Sequence, residues 1–302
     1  MNETTQEKRD FLSLLDCSPE ELNHLIERAQ ALKHDLDLEF RPLLGRTAVL
    51  ILALNSTRTR VAFETGMNQL GGHTIVLSPE DTQLGRGEPI ADMGRVLSEM
   101  VDIVIIRTLA QQDMEDLAAS ASIPIVNAMS SKLHPCQLLA DVQTFHELRG
   151  PITGRTVAFV GDGYNMCNSY INAARQWGFN LKIASPEDYQ PSAELLASTN
   201  NARLVESPRE AVEGADLVVT DVWSSMGHEE QASQRRAIFA PYQVNEALLD
   251  HAPDDTLFMH CLPAHRGEEI SDTLLDDPRC CAWQEAGNRL HSQKALLEFL
   301  LT

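Results

Sequence analysis

Ser56-Thr57-Arg58-Thr59-Arg60 sets hydroxyls and guanidiniums directly after an apolar run, and Phe63, Met67 and Leu70 follow at helical spacing. Hydroxyls, a guanidinium and the unsatisfied N–H groups of a helix start together make an anion trap. Two more groups of this kind lie in the same half of the chain. Arg107-Thr108 closes an apolar run, and His134-Pro135-Cys136-Gln137 opens a long helical stretch in which the proline sets the first turn and holds His134 extended outside it. Singly, each reads more simply as a helix cap with a surface charge; three at strand ends in one half outweigh that reading. In the other half, Asp221-Val222-Trp223-Ser224-Ser225-Met226-Gly227 and His260-Cys261-Leu262-Pro263 each follow a candidate strand. By the plainer alternatives His260 is a packed strand-end residue rather than a base, Trp223 is core, and Glu229 and Glu230 belong to a solvated face.

These groups need elements to carry them. Leu22, Leu25, Ile26, Ala29 and Leu32 form one face of an opening helix from Ser18 to His34. Short apolar runs then follow at Thr47 to Leu52, His73 to Leu77, Asp102 to Arg107 and Pro124 to Asn127, separated by segments long enough for helices. That is the pattern of a parallel α/β sheet. A helix from Pro135 to about Arg149 leads into Gly150, Pro151 and Gly154, where a domain junction is expected. Runs at Thr156 to Gly161, Leu181 to Ala184, Leu217 to Asp221 and Thr256 to His260 repeat the theme, and a last helix is expected from His291 to Leu301. The expectation is an α/β chain of two domains, 1–149 and 150–288, each a mainly parallel sheet flanked by helices. Open sheets of this kind bind ligands at the carboxyl ends of their strands.

Composition narrows the partners. The chain has 302 residues, 43% hydrophobic, with 24 Lys plus Arg against 44 Asp plus Glu and a net charge of -20. An acidic surface of that size repels phosphate backbones and anionic lipids, so neither nucleic acid nor a membrane is expected as partner. No apolar run of membrane-spanning length occurs and the first ten residues are polar and charged, so a cytoplasmic location is expected. Cys17, Cys136, Cys167, Cys261, Cys280 and Cys281 form no CxxC pair, and free thiols are the simpler reading.

Ser-Thr-Arg-Thr-Arg, Arg-Thr and His-Pro-Cys-Gln in this order resemble the carbamoyl phosphate motifs of the aspartate and ornithine carbamoyltransferase family, and the likeness runs through nearly the whole chain. The resemblance implies that Ser56, Thr57, Arg58 and Thr59 hold phosphate, that Arg107 bridges phosphate and carbonyl oxygen, that His134 donates to that oxygen and that Gln137 accepts from the carbamoyl NH2. Asp221 to Gly227, His260 to Pro263 and the loop Asp81 to Glu88 resemble the ornithine branch. By that likeness Asn165, Asp221, Ser225 and Met226 bind ornithine, whose zwitterionic end needs an acceptor and amide or hydroxyl partners. Cys261 is an orienting group near the amine rather than a nucleophile, because the δ-amine can attack carbamoyl phosphate directly; the Cys261 and Leu262 carbonyls are also available. Asn288-Arg289 matches the family's Asn-Arg, Arg289 reaching carbamoyl phosphate, and 289–302 is the C-terminal helix returning to the first domain. The resemblance further implies Arg58, Arg107, His134 and Cys261 as the catalytic set, no metal or cofactor, and a homotrimer in which Gln83 completes a neighbour's site.

Three positions depart from the family's habit: Leu52-Ala53-Leu54-Asn55 stands where Phe-x-Lys is usual before Ser56, Gly287 replaces a Glu, and Tyr164 precedes Asn165 where Asn is common. The alternatives are a carbamoyltransferase for a different amine, or a noncatalytic binding subunit on the same fold. A dinucleotide enzyme, suggested by Val160-Gly161-Asp162-Gly163, lacks the third glycine, Met166 standing there, and no acid closes the next strand.

Overall fold

A computed structural model of the chain describes residues 8–34, 39–54, 56–78, 87–224 and 232–302. Asn55, Gln83, Ser225 and Met226 therefore lie outside the described residues, as do Gly227, Glu229, Glu230 and most of the loop from Asp81 to Glu88. By packing, the chain divides into two compact units, one formed by 1–136 with 290–302 and the other by 137–289.

The first unit runs α1 (Pro19–His34), β1 (Thr47–Leu52), α2 (Thr57–Gln69), β2 (His73–Leu77), α3 (Ile90–Ser98), β3 (Ile103–Arg107), α4 (Gln111–Ser120) and β4 (Ile125–Met129). Its four strands pair in parallel in the order β2-β1-β3-β4. β3 and β4 are buried along their whole length, as strands covered on both faces must be, so Ile-Val-Ile-Ile is a continuous apolar run rather than an alternating one. Val49, Ile51, Val104 and Ile106 pack against Met93, Met114 and Leu117 of α3 and α4. Each such side chain taken from water contributes roughly 1.5–3 kcal/mol. The sequence expects β4 to end at Asn127, but it continues to Met129 because the Thr108 N–H donates to the Met129 carbonyl at 3.0 Å.

The second unit begins in α5 (Pro135–Arg149) and continues β5 (Thr156–Val160), α6 (Asn165–Trp177), β6 (Asn180–Ala184), α7 (Ala193–Ala197), β7 (Ala202–Leu204), α8 (Pro208–Val212), β8 (Leu217–Thr220), α9 (Ala232–Phe239), α10 (Glu246–Leu249), β9 (Leu257–His260) and α11 (Ala282–Leu301). The five parallel strands lie in the order β7-β6-β5-β8-β9. Strand β7 escapes the sequence reading because Ala202-Arg203-Leu204 is too short and polar to make an apolar run. The last helix begins at Ala282, nine residues before the His291 expected from sequence. Gly287 and Asn288 lie inside it, where the sequence reading takes them for a boundary. From Gln137 onward α5 groups with the second unit, although its sequence position is before Gly150, and Leu290–Thr302 groups with the first. There Arg28 of α1 pairs with Glu298 at 2.7 Å.

The two sheets start alike. Asp102 receives the Thr47 N–H on its carboxylate at 2.8 Å, pairs with Arg46 at 2.6 Å, and returns its own N–H to the Thr47 carbonyl at 2.9 Å. Asp216 does the same in the second unit, taking the Thr156 N–H at 2.8 Å, pairing with Arg155 at 3.1 Å and donating to the Thr156 carbonyl at 2.8 Å. Each fixes the amino ends of two neighbouring strands.

Two glycines test the packing in opposite directions. A Cβ on Gly163 would meet the Tyr189 carbonyl oxygen at 2.4 Å and the Pro191 nitrogen at 2.5 Å, whereas one on Gly287 meets nothing within 4 Å. Gly163→Ala is expected to destabilise by about 2 kcal/mol or more, since backbone must move, while Gly287→Ala should stabilise by about 0.5–1 kcal/mol through helix propensity. Urea unfolding of both variants checks the contrast; equal midpoints would contradict it.

Candidate functional site

In the first unit the three sequence groups emerge from adjacent strands. Ser56, after β1, is the N-cap of α2, and its Oγ accepts from the Thr59 N–H at 3.3 Å. Thr57, Arg58 and Thr59 are then the first turn of α2, where N–H groups lack helical partners and the dipole favours negative charge. Leu52 stands in register with Arg107, and the Ala53 N–H donates to the Arg107 carbonyl at 3.0 Å, so the chain enters the Ser56 cap alongside the end of β3. Arg107 and Thr108 are buried. His134 follows β4 through a turn that Ser130 organises, its Oγ accepting from the Leu133 N–H at 3.0 Å and donating to Gln111 at 2.6 Å. The Ser131 N–H reaches the Leu109 carbonyl at 3.1 Å, which joins the loop after β3 to the loop after β4. Ser56, Thr57, Arg58, Thr59, Arg107 and His134 therefore share one edge of this sheet, an arrangement suited to an anion and a polarised carbonyl.

In the second unit the carboxyl ends of β5, β8 and β9 are likewise adjacent. Asn165 is the first residue of α6, and its Oδ1 accepts from the Met166 N–H at 2.9 Å. Asp221 accepts from the Val222 N–H at 2.8 Å and from the Cys261 thiol at 3.2 Å. Burial pushes the Asp221 carboxyl above its ordinary range, against the pull of His260. Burial pushes the Cys261 thiol up further, and Asp221 and Glu285 add to the rise. A thiol held protonated and donating to a carboxylate is poorly disposed to act as a nucleophile.

His260 is fully buried. Its Nδ1 accepts from the Leu262 N–H at 2.9 Å, which leaves the proton on Nε2, 3.1 Å from Glu269 Oε1. It is a packed strand-end residue, as expected, and its hydrogen bond fixes the turn that presents Cys261 and Leu262, the latter at φ 53. Trp223 is also core, stacked on Phe239 at 5.9 Å between centroids.

Gln137 belongs to a buried cluster within the second unit. Its Nε2 donates to Asp141 at 2.8 Å and to Glu285 at 2.9 Å, and its Oε1 accepts from Arg289 at 2.5 Å. Sequence reasoning misses Asp141, Tyr170 and Glu285. The available signal is the four-residue spacing of Gln137 with Asp141 and of Glu285 with Arg289, each pair on one helix face. It also misses Arg235, which is buried, pairs with Asp162, donates to the Trp223 carbonyl and stacks 4.5 Å from the Tyr189 ring centroid. Asp221, His260 and Cys261 each offer a possible ligand atom within 4.8 Å of the others, and within this group the Cys261 thiol donates to Asp221 while the His260 ring accepts from the Leu262 N–H.

Comparison with known proteins now defines the class. The carbamoyl-P binding domain of the aspartate/ornithine carbamoyltransferases matches residues 9–147, and their Asp/Orn binding domain matches 153–300. The chain belongs to the aspartate/ornithine carbamoyltransferase family and is a carbamoyltransferase. It is 59% identical over 296 residues to the anabolic ornithine carbamoyltransferase of Pseudomonas aeruginosa, and 57% identical over 297 residues to the ornithine carbamoyltransferase of Chromohalobacter salexigens, with 97% of each chain covered in both cases. The solved ornithine carbamoyltransferase of Pyrococcus furiosus superposes with a TM-score of 0.92 at 44% identity over 97% of both chains.

Burial pushes the Asp162 carboxyl from 3.8 up to about 7, Arg235 opposing and Asp221 adding to the rise. The unfolded chain releases this proton at lower pH than the folded one. The stability linked to it is therefore complete below about pH 4 and lost as pH rises towards 7. Asp162→Asn, which keeps an acceptor for Arg235, should flatten that part of the profile. Urea midpoints at pH 5 and pH 8 are the measurement, and an unaltered difference between them would exclude Asp162 as a source.

Proposed function

We propose that this carbamoyltransferase carbamoylates the δ-amine of L-ornithine, giving L-citrulline and phosphate. The observation that carries the ornithine branch is the pairing of Asp221 with the Cys261 thiol at the ends of β8 and β9, at 3.2 Å. It supplies an acceptor for an α-ammonium where an aspartate substrate would call for further cations. The full-length likeness to ornithine carbamoyltransferases supports the same substrate, and the anabolic relative supports a place in arginine synthesis.

In this reading Ser56, Thr57, Arg58 and Thr59 hold the phosphate, Arg107 spans phosphate and carbonyl oxygen, and His134 donates to that oxygen. Cys261, Leu262, Gln137, Arg289 and Gln83 of a neighbouring chain complete the carbamoyl phosphate ligands, and Asn165, Asp221, Ser225 and Met226 hold ornithine. The domains divide accordingly, carbamoyl phosphate to 1–149, ornithine to 150–288, with 289–302 returning to the first. Attack by the amine places negative charge on the carbonyl oxygen while phosphate leaves, and cations and donors already in position stabilise both charges as they form. The amine attacks only when deprotonated, against an ordinary pKa of about 10.4, which nearby guanidiniums and desolvation favour. No described helix is long and apolar enough to cross a membrane, and a cytoplasmic location fits that reading. The active form is a homotrimer, or a multiple of it, with Gln83 of each chain completing a neighbour's site.

Citrulline formation from carbamoyl phosphate, measured over a panel of amines, tests the substrate; preference for any amine over ornithine would overturn it. Arg58→Ala should lower kcat/KM by far more than tenfold, about 1.4 kcal/mol, with little loss of fold. A smaller fall removes Arg58 from the phosphate. Mixing inactive Gln83→Ala and Arg58→Ala chains under subunit exchange should restore part of the activity, and exchange without recovery would exclude the shared site.

A further inference from the structure

Gln137 lies in the first turn of α5, fully buried, among neighbours that either only donate or only accept. Its Nε2 faces Asp141 Oδ1 and Glu285 Oε1, and its Oε1 faces the Arg289 Nη1. Carboxylates accept and a guanidinium donates. Turning the carboxamide over would set its NH2 against the Arg289 guanidinium, donor against donor, so only one orientation survives.

Both acids are themselves held. The Tyr170 hydroxyl donates to Asp141 Oδ2 at 2.7 Å, and the His260 backbone N–H donates to Glu285 Oε2 at 3.0 Å. Burial pushes both carboxyls upward, and the hydrogen bond between them adds to the rise at Glu285 and opposes it at Asp141. Two buried acids facing one guanidinium are a poor way to join helices, since apolar side chains of the same volume would usually pack with equal or greater stability. Their placement needs a reason other than packing. α5 carries one acid and Gln137 at a spacing of four, and α11 carries the other acid and Arg289 at the same spacing.

We infer that Asp141 and Glu285 are positioning residues for carbamoyl phosphate, acting through Gln137 and Arg289. They hold back the NH2 end of the carboxamide, so that its oxygen is the end offered, and they keep that oxygen on Arg289. The inference rests on the reading of Gln137 and Arg289 as carbamoyl phosphate ligands.

Steady-state kinetics of the purified enzyme test it through a double-mutant cycle. Asp141→Ala leaves one Gln137 N–H without its acceptor and Glu285 as the remaining acid on the amide, and should raise KM for carbamoyl phosphate by roughly tenfold or more, with KM for ornithine little changed. Asp141→Asn should recover most of this, because its amide oxygen still accepts from Gln137 and the Tyr170 hydroxyl can turn to accept from its NH2. In a Gln137→Ala background the Asp141→Ala effect should vanish. Equal losses in both backgrounds, or a loss confined to kcat, would overturn the inference. Should Asp141→Ala fail to fold, Glu285→Ala gives the same cycle, since it removes the other acceptor of the Gln137 NH2. If Gln137→Ala alone leaves KM for carbamoyl phosphate unaltered, the ligand reading of Gln137 fails first and takes the inference with it; an effect of Gln137→Ala without one of Asp141→Ala overturns the inference and spares that reading.

Discussion

Parallel pairing is the constraint from which the rest of this carbamoyltransferase follows. A parallel strand cannot be reached by a tight turn, so each needs a crossover, and every strand of a sheet then ends on the same edge. β1, β3 and β4 thereby deliver Ser56, Arg107 and His134 as neighbours, although they are separated by up to 78 positions along the chain. β5, β8 and β9 do the same for the Asn165 helix, Asp221 and Cys261. Strands covered on both faces are mostly apolar along their length, the buried Asn127 of β4 spending its amide on the Leu12 carbonyl, and chemistry gathers at their ends.

Burial then decides the electrostatics. The chain carries a net charge of -20, yet the acids at the second sheet's edge are withdrawn from water and pushed towards their neutral forms. Arg235 and Arg289 each stand on such an acid or on the amide between two, while the Leu262 N–H on Nδ1 and Glu269 beside Nε2 hold the His260 ring in place. A site assembled this way can press upon an amine without presenting it with several full negative charges.

Most of the fold was legible because buried parallel strands announce themselves as apolar runs. Eight of the nine described strands were found from such runs, and β7 was lost for want of one. The start of α11 was placed at His291, although the helix begins at Ala282 and runs through Gly287 and Asn288. Candidate site residues were legible where they stand in contiguous motifs, as Ser56 to Thr59 and Cys261 with Leu262 do. Asp141, Tyr170, Glu285 and Arg235 were not, because their meaning lies in contacts across 29 to 148 positions that no local pattern encodes.

Asp102 and Asp216 give the two sheets the same foundation, tying the amino ends of two neighbouring strands through one carboxylate that takes a backbone N–H, one guanidinium and one backbone–backbone bond. These anchors stand at the rim opposite the reactive loops. Altering what a sheet binds and altering whether it folds are thus separable operations, open to change one at a time. A lineage that duplicated or diversified such a sheet could rewrite its upper rim for a new substrate while inheriting the lower one intact.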